Sequence, residues 1–252
     1  MKFKFAPWLV LCISLSACTT ITKQDAELDI PEESPASRHT NLGLQYLGRG
    51  QDDVALENFK QALKADSGNS EAHHAIAILY QKLGQKNLWE SHLKQAVSLR
   101  PTNASAQTDY GSLLCDQGNY AEADEHFNKA IDTPLYKRPW VAMTDAGICA
   151  QRAGRLEEAE NYLREALKRQ PAFPPALLAM AGLSLKTDKA LNGRGFIQRY
   201  LSSTSPSAEA LLLGVQLERA LGDTATAESY RSQLESQFPD SREAESLREL
   251  PE

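Results

Sequence analysis

The sequence predicts an all-α protein that forms a right-handed superhelical solenoid of about six helix pairs, closed by a C-terminal capping helix. Glycine recurs at intervals of 34, 34 and 36 residues, at Gly50, Gly84, Gly118 and Gly154. After Gly118, small and aromatic residues follow at intervals of five, nine and twelve, at Ala123, Phe127 and Ala130. This spacing places the three side chains on one face of a helix that begins just after the glycine. Such a helix needs a partner to cover that face, and the regular recurrence indicates a repeat.

A period of 34 residues is that of the tetratricopeptide repeat (TPR), a pair of antiparallel helices. The copy after Gly84 is looser, because Trp89 takes the place of a small residue. The copy after Gly222 has Arg231 where a large apolar residue is expected. Small residues let two helices approach, and an aromatic side chain fills the space beside the crossing. Because one pair buries too little surface to be stable alone, we expect the pairs to stack with their first helices lining a concave groove.

The composition excludes one class of partner. The 252 residues are 42% hydrophobic and 24% charged, with a net charge of -6. A general nucleic-acid binder would present a basic face, so we expect no nucleic-acid partner.

The first 17 residues are predicted to be a lipoprotein signal peptide (1–17). Two lysines precede an apolar run of about eleven residues, which is too short for a bilayer that needs about 20. The run ends in Leu-Ser-Ala-Cys18, which resembles the bacterial lipobox. Cys18 is therefore the predicted lipidation site and would carry a covalent N-acyl diacylglycerol; a plain signal peptide with an incidental cysteine is the alternative. Thr19 stands where inner-membrane lipoproteins carry aspartate, so the resemblance implies transport to the outer membrane by the lipoprotein sorting machinery.

The rest of the chain divides into two segments. Residues 18–35 are acidic and contain two prolines, a composition that cannot bury a core, so they are predicted to form a disordered tether. The TPR domain is predicted at 36–252, with repeats at about 36–69, 70–103, 104–137, 140–173, 174–207 and 208–241 and a cap at 242–250. Repeat five is the weakest, since Gly193 and Gly195 fall within its second helix at a cost of about 1 kcal/mol each relative to alanine.

The sequence contains no pattern of a known catalytic site. It lacks a phosphate-binding loop, Gly-x-Gly-x-x-Gly, Cys-x-x-Cys and His-Glu-x-x-His. Two histidine pairs, His39 with His73 and His92 with His126, are each 34 residues apart and could stack on adjacent repeats. A zinc site needs three or four converging ligands, however, and no cysteine or carboxylate shares their phase convincingly. We therefore expect no enzyme, no metal site and no cofactor other than the lipid.

Cys115 and Cys149 are candidates for a disulfide. They fall in the first helices of repeats three and four, which are expected to be parallel neighbours, and a lipoprotein facing the periplasm meets oxidising conditions. Cys115 is the twelfth residue of its repeat and Cys149 the tenth, a difference of about 3 Å along the helix axis. The alternative is two buried free thiols.

The whole arrangement resembles the PilF/PilW family, the type IV pilus biogenesis and stability lipoproteins. Matching stretches are residues 42–47 with 49–50 in repeat one, 109–111 in repeat three, the insertion at Tyr136 and 211–214 in repeat six. The resemblance implies a pilotin: an outer-membrane lipoprotein that faces the periplasm, binds the type IV pilus secretin (PilQ-like), and promotes its localisation and multimerisation. The alternative is a TPR scaffold lipoprotein for envelope hydrolases or for outer-membrane protein assembly.

The predicted partner-binding groove lies in repeats one and two. The second, fifth, ninth and twelfth residues of a TPR face the groove, and the second positions here are Ser37 and Glu71. The other three positions give the candidates Thr40, Leu44, Leu47, His74, Ile78 and Gln81. Leu44, Leu47 and Ile78 are apolar where open water favours polar groups, so they are predicted to hold a partner helix. The alternative is that the tether or a neighbouring helix covers them.

Overall fold

The computed structural model of the protein describes residues 33–249, and within that range it contains thirteen α-helices and no strand. The predicted signal peptide, Cys18 and most of the predicted tether lie outside the described residues. The helices are α1 (Pro35–Gly48), α2 (Asp52–Ala65), α3 (Ser70–Lys82), α4 (Lys86–Leu99), α5 (Ala104–Asp116), α6 (Tyr120–Ile131), α7 (Pro139–Arg152), α8 (Leu156–Arg169), α9 (Pro174–Lys186), α10 (Ala190–Ser203), α11 (Ala208–Ala220), α12 (Thr224–Gln237) and α13 (Arg242–Glu249). None of these helices has the length and apolar character needed to cross a membrane.

Each helix pair turns tightly at one residue with a left-handed backbone. Gly118 has φ of 80° between α5 and α6, and the glycines at the equivalent turns of four other pairs also have positive φ. Glycine reaches this region without a steric penalty. Repeat five has Asp188 there instead, with φ of 56°, which makes its turn the exception.

Close contact between the two helices of a pair depends on a small residue in the first helix, which is glycine in four of the repeats and alanine, Ala77 and Ala181, in repeats two and five. A Cβ atom added to Gly111 would lie 2.8 Å from Cε1 of Phe127, closer than real atoms approach. Phe127 and Ala123 are completely buried, so the small and aromatic positions of the repeat do form the interior of the pair. The protein is an all-α solenoid of such pairs, as the sequence predicts.

The pairs stack in chain order, and the last helix closes the stack. Neighbouring first helices pack together, for example α5 with α7 and α9 with α11. At the C-terminal end, α13 packs Ala244 and Leu247 against Leu211 and Leu234 of the last pair. These apolar side chains would otherwise be exposed to water at the end of the solenoid.

The last two repeats depart from the expected pattern in informative ways. In repeat five, α10 is continuous through Gly193, and glycine is needed there because a Cβ would collide with Leu217 of α11. In repeat six, Arg231 was expected at the large apolar position, and this is wrong: Tyr230, one residue earlier, packs over Gly214. Arg231 instead pairs with Glu235 across one turn of α12, Nε to Oε1 3.3 Å.

Candidate partner-binding site

The first helices of repeats four, five and six together line an apolar cleft. Its volume is about 540 Å³, and most of its exposed lining is apolar. The lining includes Ile148 of α7, Leu178 and Gly182 of α9, and Leu212 and Leu213 of α11, together with the charged residues Arg152, Lys186 and Glu209. We call this set the C-terminal cleft. Space of this size falls in the range of about 300–1,000 Å³ that is typical of ligand-binding sites.

The helical repeat explains why these side chains face the cleft. In α9, Leu177, Met180 and Ala181 point into the solenoid and are buried, whereas the intervening Leu178 and Gly182 remain partly exposed. Leu178 and Gly182 are the fifth and ninth residues of repeat five, the positions from which the groove was predicted in repeats one and two. The C-terminal cleft was not among the predicted sites, although Leu178, Gly182 and Leu212 stand at groove-facing positions of repeats five and six and are its signal in the sequence.

The candidates in repeat one are placed differently from one another. Leu44 is 41% exposed, as a contact residue requires. Leu47 is partly buried and packs against the cluster that contains Phe59 and Ile76, so part of its surface serves the core. Thr40 was predicted to face the groove, and this is wrong: it is only 3% exposed, and its hydroxyl donates to the Ala36 carbonyl at 2.8 Å.

The candidates in repeat two lie on α3. Gln81 is exposed and Ile78 is partly buried, and together with Leu44 they form what we call the repeat 1–2 surface. His74 is engaged with the next repeat, since its Nε2 lies 2.7 Å from Oδ2 of Asp109 on α5. His74 therefore contributes to contact between repeats as well as to the surface.

A polar stretch on α5 and α7 separates the repeat 1–2 surface from the C-terminal cleft. Ser112 of α5 donates its hydroxyl to Oδ2 of Asp145 on α7 at 3.3 Å. Burial of the Asp145 carboxyl, assisted by the charge of Asp109, raises its pKa to about 7, and the Ser112 hydrogen bond opposes this only in part. A carboxylate that is difficult to ionise is electrostatically prepared to accept a positive charge.

Cys115 and Cys149 are joined by a disulfide in the structure. Their Cα atoms are 5.8 Å apart, and both side chains are buried between α5 and α7. The bond links repeats three and four about one helical turn after Ser112 on α5 and Asp145 on α7.

Three of the histidines make hydrogen bonds within the solenoid, two with each other and one with a glutamine. Nδ1 of His73 lies 3.0 Å from Nδ1 of His92, and Nδ1 of His126 lies 2.5 Å from Oε1 of Gln107. Burial lowers the pKa of His73, His92 and His126. Among the residues that the structure describes, no three histidine, cysteine or carboxylate side chains come close enough together to hold a metal ion.

Comparison with known proteins identifies both the repeat and the family. Tetratricopeptide repeat profiles match residues 102–172 and 70–103. The type IV pilus assembly protein PilF of Pseudomonas aeruginosa is 27% identical over 244 residues, which cover 96% of this chain and 97% of that protein.

Two solved structures share the architecture across almost their whole length. The crystal structure of PilW, described as a widely conserved type IV pilus biogenesis factor, is 31% identical, with a TM-score of 0.77 over 84% of this chain and 97% of PilW. The structure of P. aeruginosa PilF is 27% identical, with a TM-score of 0.75 over 85% of this chain and 96% of PilF. The chain belongs to the PilF/PilW family of tetratricopeptide repeat proteins, and its function lies in type IV pilus biogenesis.

Proposed function

We propose that the protein is an outer-membrane lipoprotein and the pilotin of a type IV pilus secretin. The observation that carries the proposal is the similarity to PilF, which extends over 96% of the chain. The 244 aligned residues are more than the range 33–249 contains, so the similarity also extends into the segment before residue 33. A pilotin must combine a membrane anchor with a binding surface, and we assign these roles to Cys18 and to the repeat 1–2 surface.

In this proposal the anchor is Cys18. After cleavage the cysteine carries an N-acyl diacylglycerol, and the lipoprotein sorting machinery carries the protein to the outer membrane, where it faces the periplasm. Each buried CH₂ group contributes about 0.8 kcal/mol, so several acyl chains on one residue hold a protein to a membrane almost permanently. A bound secretin subunit would be transported with it.

The repeat 1–2 surface is the proposed secretin contact. Leu44 is the exposed apolar side chain of this surface, and Ile78 and Gln81 extend it onto α3. Binding there would involve apolar burial and hydrogen bonds, with no bond made or broken in the secretin. The protein would act by delivering and aligning secretin subunits until they assemble into a multimer.

A substitution in this surface tests the proposal. Leu44→Ser removes the exposed apolar contact without entering the core, so secretin multimers in the outer membrane should fall severely while the amount of pilotin stays constant. Val54→Ser is the matched control, because Val54 is 42% exposed on the second helix α2. Detergent-resistant secretin multimers are measured by immunoblot of membrane fractions.

A second arm of the same experiment uses Cys18→Ser. Loss of the lipid should leave secretin binding intact but prevent delivery, so that secretin accumulates away from the outer membrane. Normal secretin multimers in both variants would contradict the proposal. Crosslinked envelope hydrolases or barrel-assembly components, in place of secretin, would instead favour the scaffold function.

A further inference from the structure

The loop between α6 and α7 presents an apolar side chain almost entirely to water. The backbone N–H of Tyr136 donates to the Thr133 carbonyl at 3.3 Å, which closes a turn whose third residue is Leu135. Leu135 has φ of 64°, a conformation that glycine or asparagine usually adopts at this place in a turn. Its side chain is 97% exposed. Neither the backbone conformation nor packing within the solenoid therefore favours leucine at this position.

The base of the loop is fixed to the solenoid, so the exposed leucine is held in place. The ring of Tyr136, the next residue, packs against Ala104, Ala130 and Ala142 of three successive helices α5, α6 and α7. The loop also contains the two residues by which the interval from Gly118 to Gly154 exceeds the period of 34. Other repeats stack without these residues, which indicates a role other than stacking. We call residues 133–138 the α6–α7 loop.

Basic side chains collect at the edge of the solenoid where this loop lies. In repeats three and four, the loops after α4, α6 and α8 and the helical turns that precede them contain six basic residues and one acidic residue, namely Arg100, Lys129, Lys137, Arg138, Lys168, Arg169 and Asp132. Arg100 is paired with Glu71, and Lys168 with Glu165. Lys137 and Arg138 are exposed, and neither has an ion-pair partner among the described residues. This edge is therefore basic, although the whole sequence has a net charge of -6.

The predicted tether joins the solenoid at the same edge. Nδ2 of Asn103, just before α5, donates to Oγ of Ser70 at the start of α3 at 2.9 Å, so neighbouring first helices begin side by side. Because α1 packs on α3 and α5 on α7, Ser34 and the α6–α7 loop both lie at this edge, roughly 25–30 Å apart at 8–10 Å for each helix. Fifteen residues, the length of the segment 18–32, reach about 50 Å when extended. A lipid on Cys18 and the α6–α7 loop can thus meet one surface.

We propose that the α6–α7 loop is a contact site for the surface of an anionic phospholipid bilayer. Leu135 enters the boundary of the acyl chains, and Lys137 and Arg138 lie among the negatively charged headgroups. The contact rests on the proposed function, because the anchor brings this edge to a membrane. One leucine and a few basic residues bind a bilayer weakly, so the loop orients the anchored molecule and fixes the direction in which it presents the repeat 1–2 surface.

A fluorescent probe at position 135 tests the proposal on the full chain, reconstituted into vesicles of phosphatidylcholine and phosphatidylglycerol. Leu135→Cys is labelled with an apolar, environment-sensitive fluorophore, which lipids with brominated acyl chains should quench. Leu191→Cys is the matched control, because Leu191 is also apolar and 67% exposed but lies at the start of α10, at the opposite edge. Cys115 and Cys149 are bonded to each other, and the chain without an added cysteine gives the background of labelling.

The charges are tested in the same labelled chain. Lys137→Gln together with Arg138→Gln should reduce quenching at position 135 about twofold or more, and so should vesicles of phosphatidylcholine alone. Equal quenching at positions 135 and 191, or quenching at position 135 that depends on neither the basic residues nor phosphatidylglycerol, would overturn the proposal. So would a probe at position 135 that responds only when secretin is added, since the loop would then contact protein.

The anchor is measured separately, by the mass of the N-terminal peptide. A Cys18 without lipid would contradict the proposed function but not the loop contact. In that case an N-terminal hexahistidine tag and nickel-chelating lipid attach the chain to the same vesicles, and quenching at position 135 still decides whether the loop meets the bilayer.

Discussion

Removal of the Cys115–Cys149 disulfide should destabilise the solenoid by an amount that depends on the number of residues in the loop that the bond closes. The bond closes a loop of 34 residues. Restricting such a loop in the unfolded chain lowers its entropy by about 13 cal/mol/K, which corresponds to about 4 kcal/mol at 25 °C. For a domain of this size, a loss of about 4 kcal/mol lowers the melting temperature by roughly 10 °C.

The assay compares three samples by urea and thermal unfolding, followed by far-ultraviolet circular dichroism. These are the oxidised protein, the same protein with reductant, and the double variant Cys115→Ala with Cys149→Ala. Reduction should bring the midpoint of the wild type close to that of the double variant, which reductant itself should not change. The small remaining difference would measure the packing of the two buried sulfur atoms.

Alkylation of thiols under denaturing conditions, mapped by mass spectrometry, reports the bond directly. The two residues should be protected before reduction and labelled after it. Full labelling of Cys115 and Cys149 without reductant, together with a melting temperature that reductant does not change, would refute the reasoning.

Two further predictions concern stability. The folded pKa of Asp145, about 7, lies above its ordinary value of 3.8, so its own contribution of up to about 4 kcal/mol to the free energy of unfolding is lost as pH rises from about 4 to about 7. The lowered pKa of His73, His92 and His126 has the opposite effect, because these histidines bind protons more readily in the unfolded chain. Asp145→Asn should remove only this contribution, so the difference in free energy of unfolding between variant and wild type, measured in urea, should grow over this pH range and leave the variant the more stable protein at about pH 8. Asp109, which faces Asp145, and the histidines are the same in both proteins, so a difference that does not change with pH would contradict the assignment. Gly111→Ala should cost about 1–3 kcal/mol, because its Cβ would overlap Phe127, whereas Gly195→Ala, with open space around it, should stabilise α10 by about 0.5–1 kcal/mol. Equal effects of the two alanines on the melting temperature would show that close packing at Gly111 is not what selects glycine.

The architecture could be predicted from sequence because few residue types satisfy its two tightest requirements. A left-handed turn selects glycine, as at Gly118, and a close crossing selects small residues such as Gly111 beside a large one such as Phe127. Where a residue other than glycine makes the turn, or the large side chain at the crossing is shifted by one position, the repeat spacing no longer predicts the structure. Asp188 provides the turn of repeat five, and Tyr230 fills the space that the spacing assigned to Arg231.

The binding surfaces were less accessible to sequence reasoning. Position within the repeat predicts which way a side chain points, but exposure also depends on the neighbouring helices. Thr40 is buried although its position is right, and Leu44, one turn later, is exposed. The raised pKa of Asp145 depends on burial between α5 and α7 and on the charge of Asp109, which no single repeat encodes.

The disulfide lies between the repeat 1–2 surface and the C-terminal cleft, so it constrains the distance between these two parts of the solenoid. Neighbouring first helices are about 8–10 Å apart, so three steps from α3 to α9 cover roughly 25–30 Å. A covalent link between α5 and α7 limits how far these two helices can separate at the middle step. A partner that occupies both surfaces must then present its two segments at a matching separation. Under reducing conditions α5 and α7 could move relative to each other. The preference for one separation would then weaken, even if each site kept its own affinity.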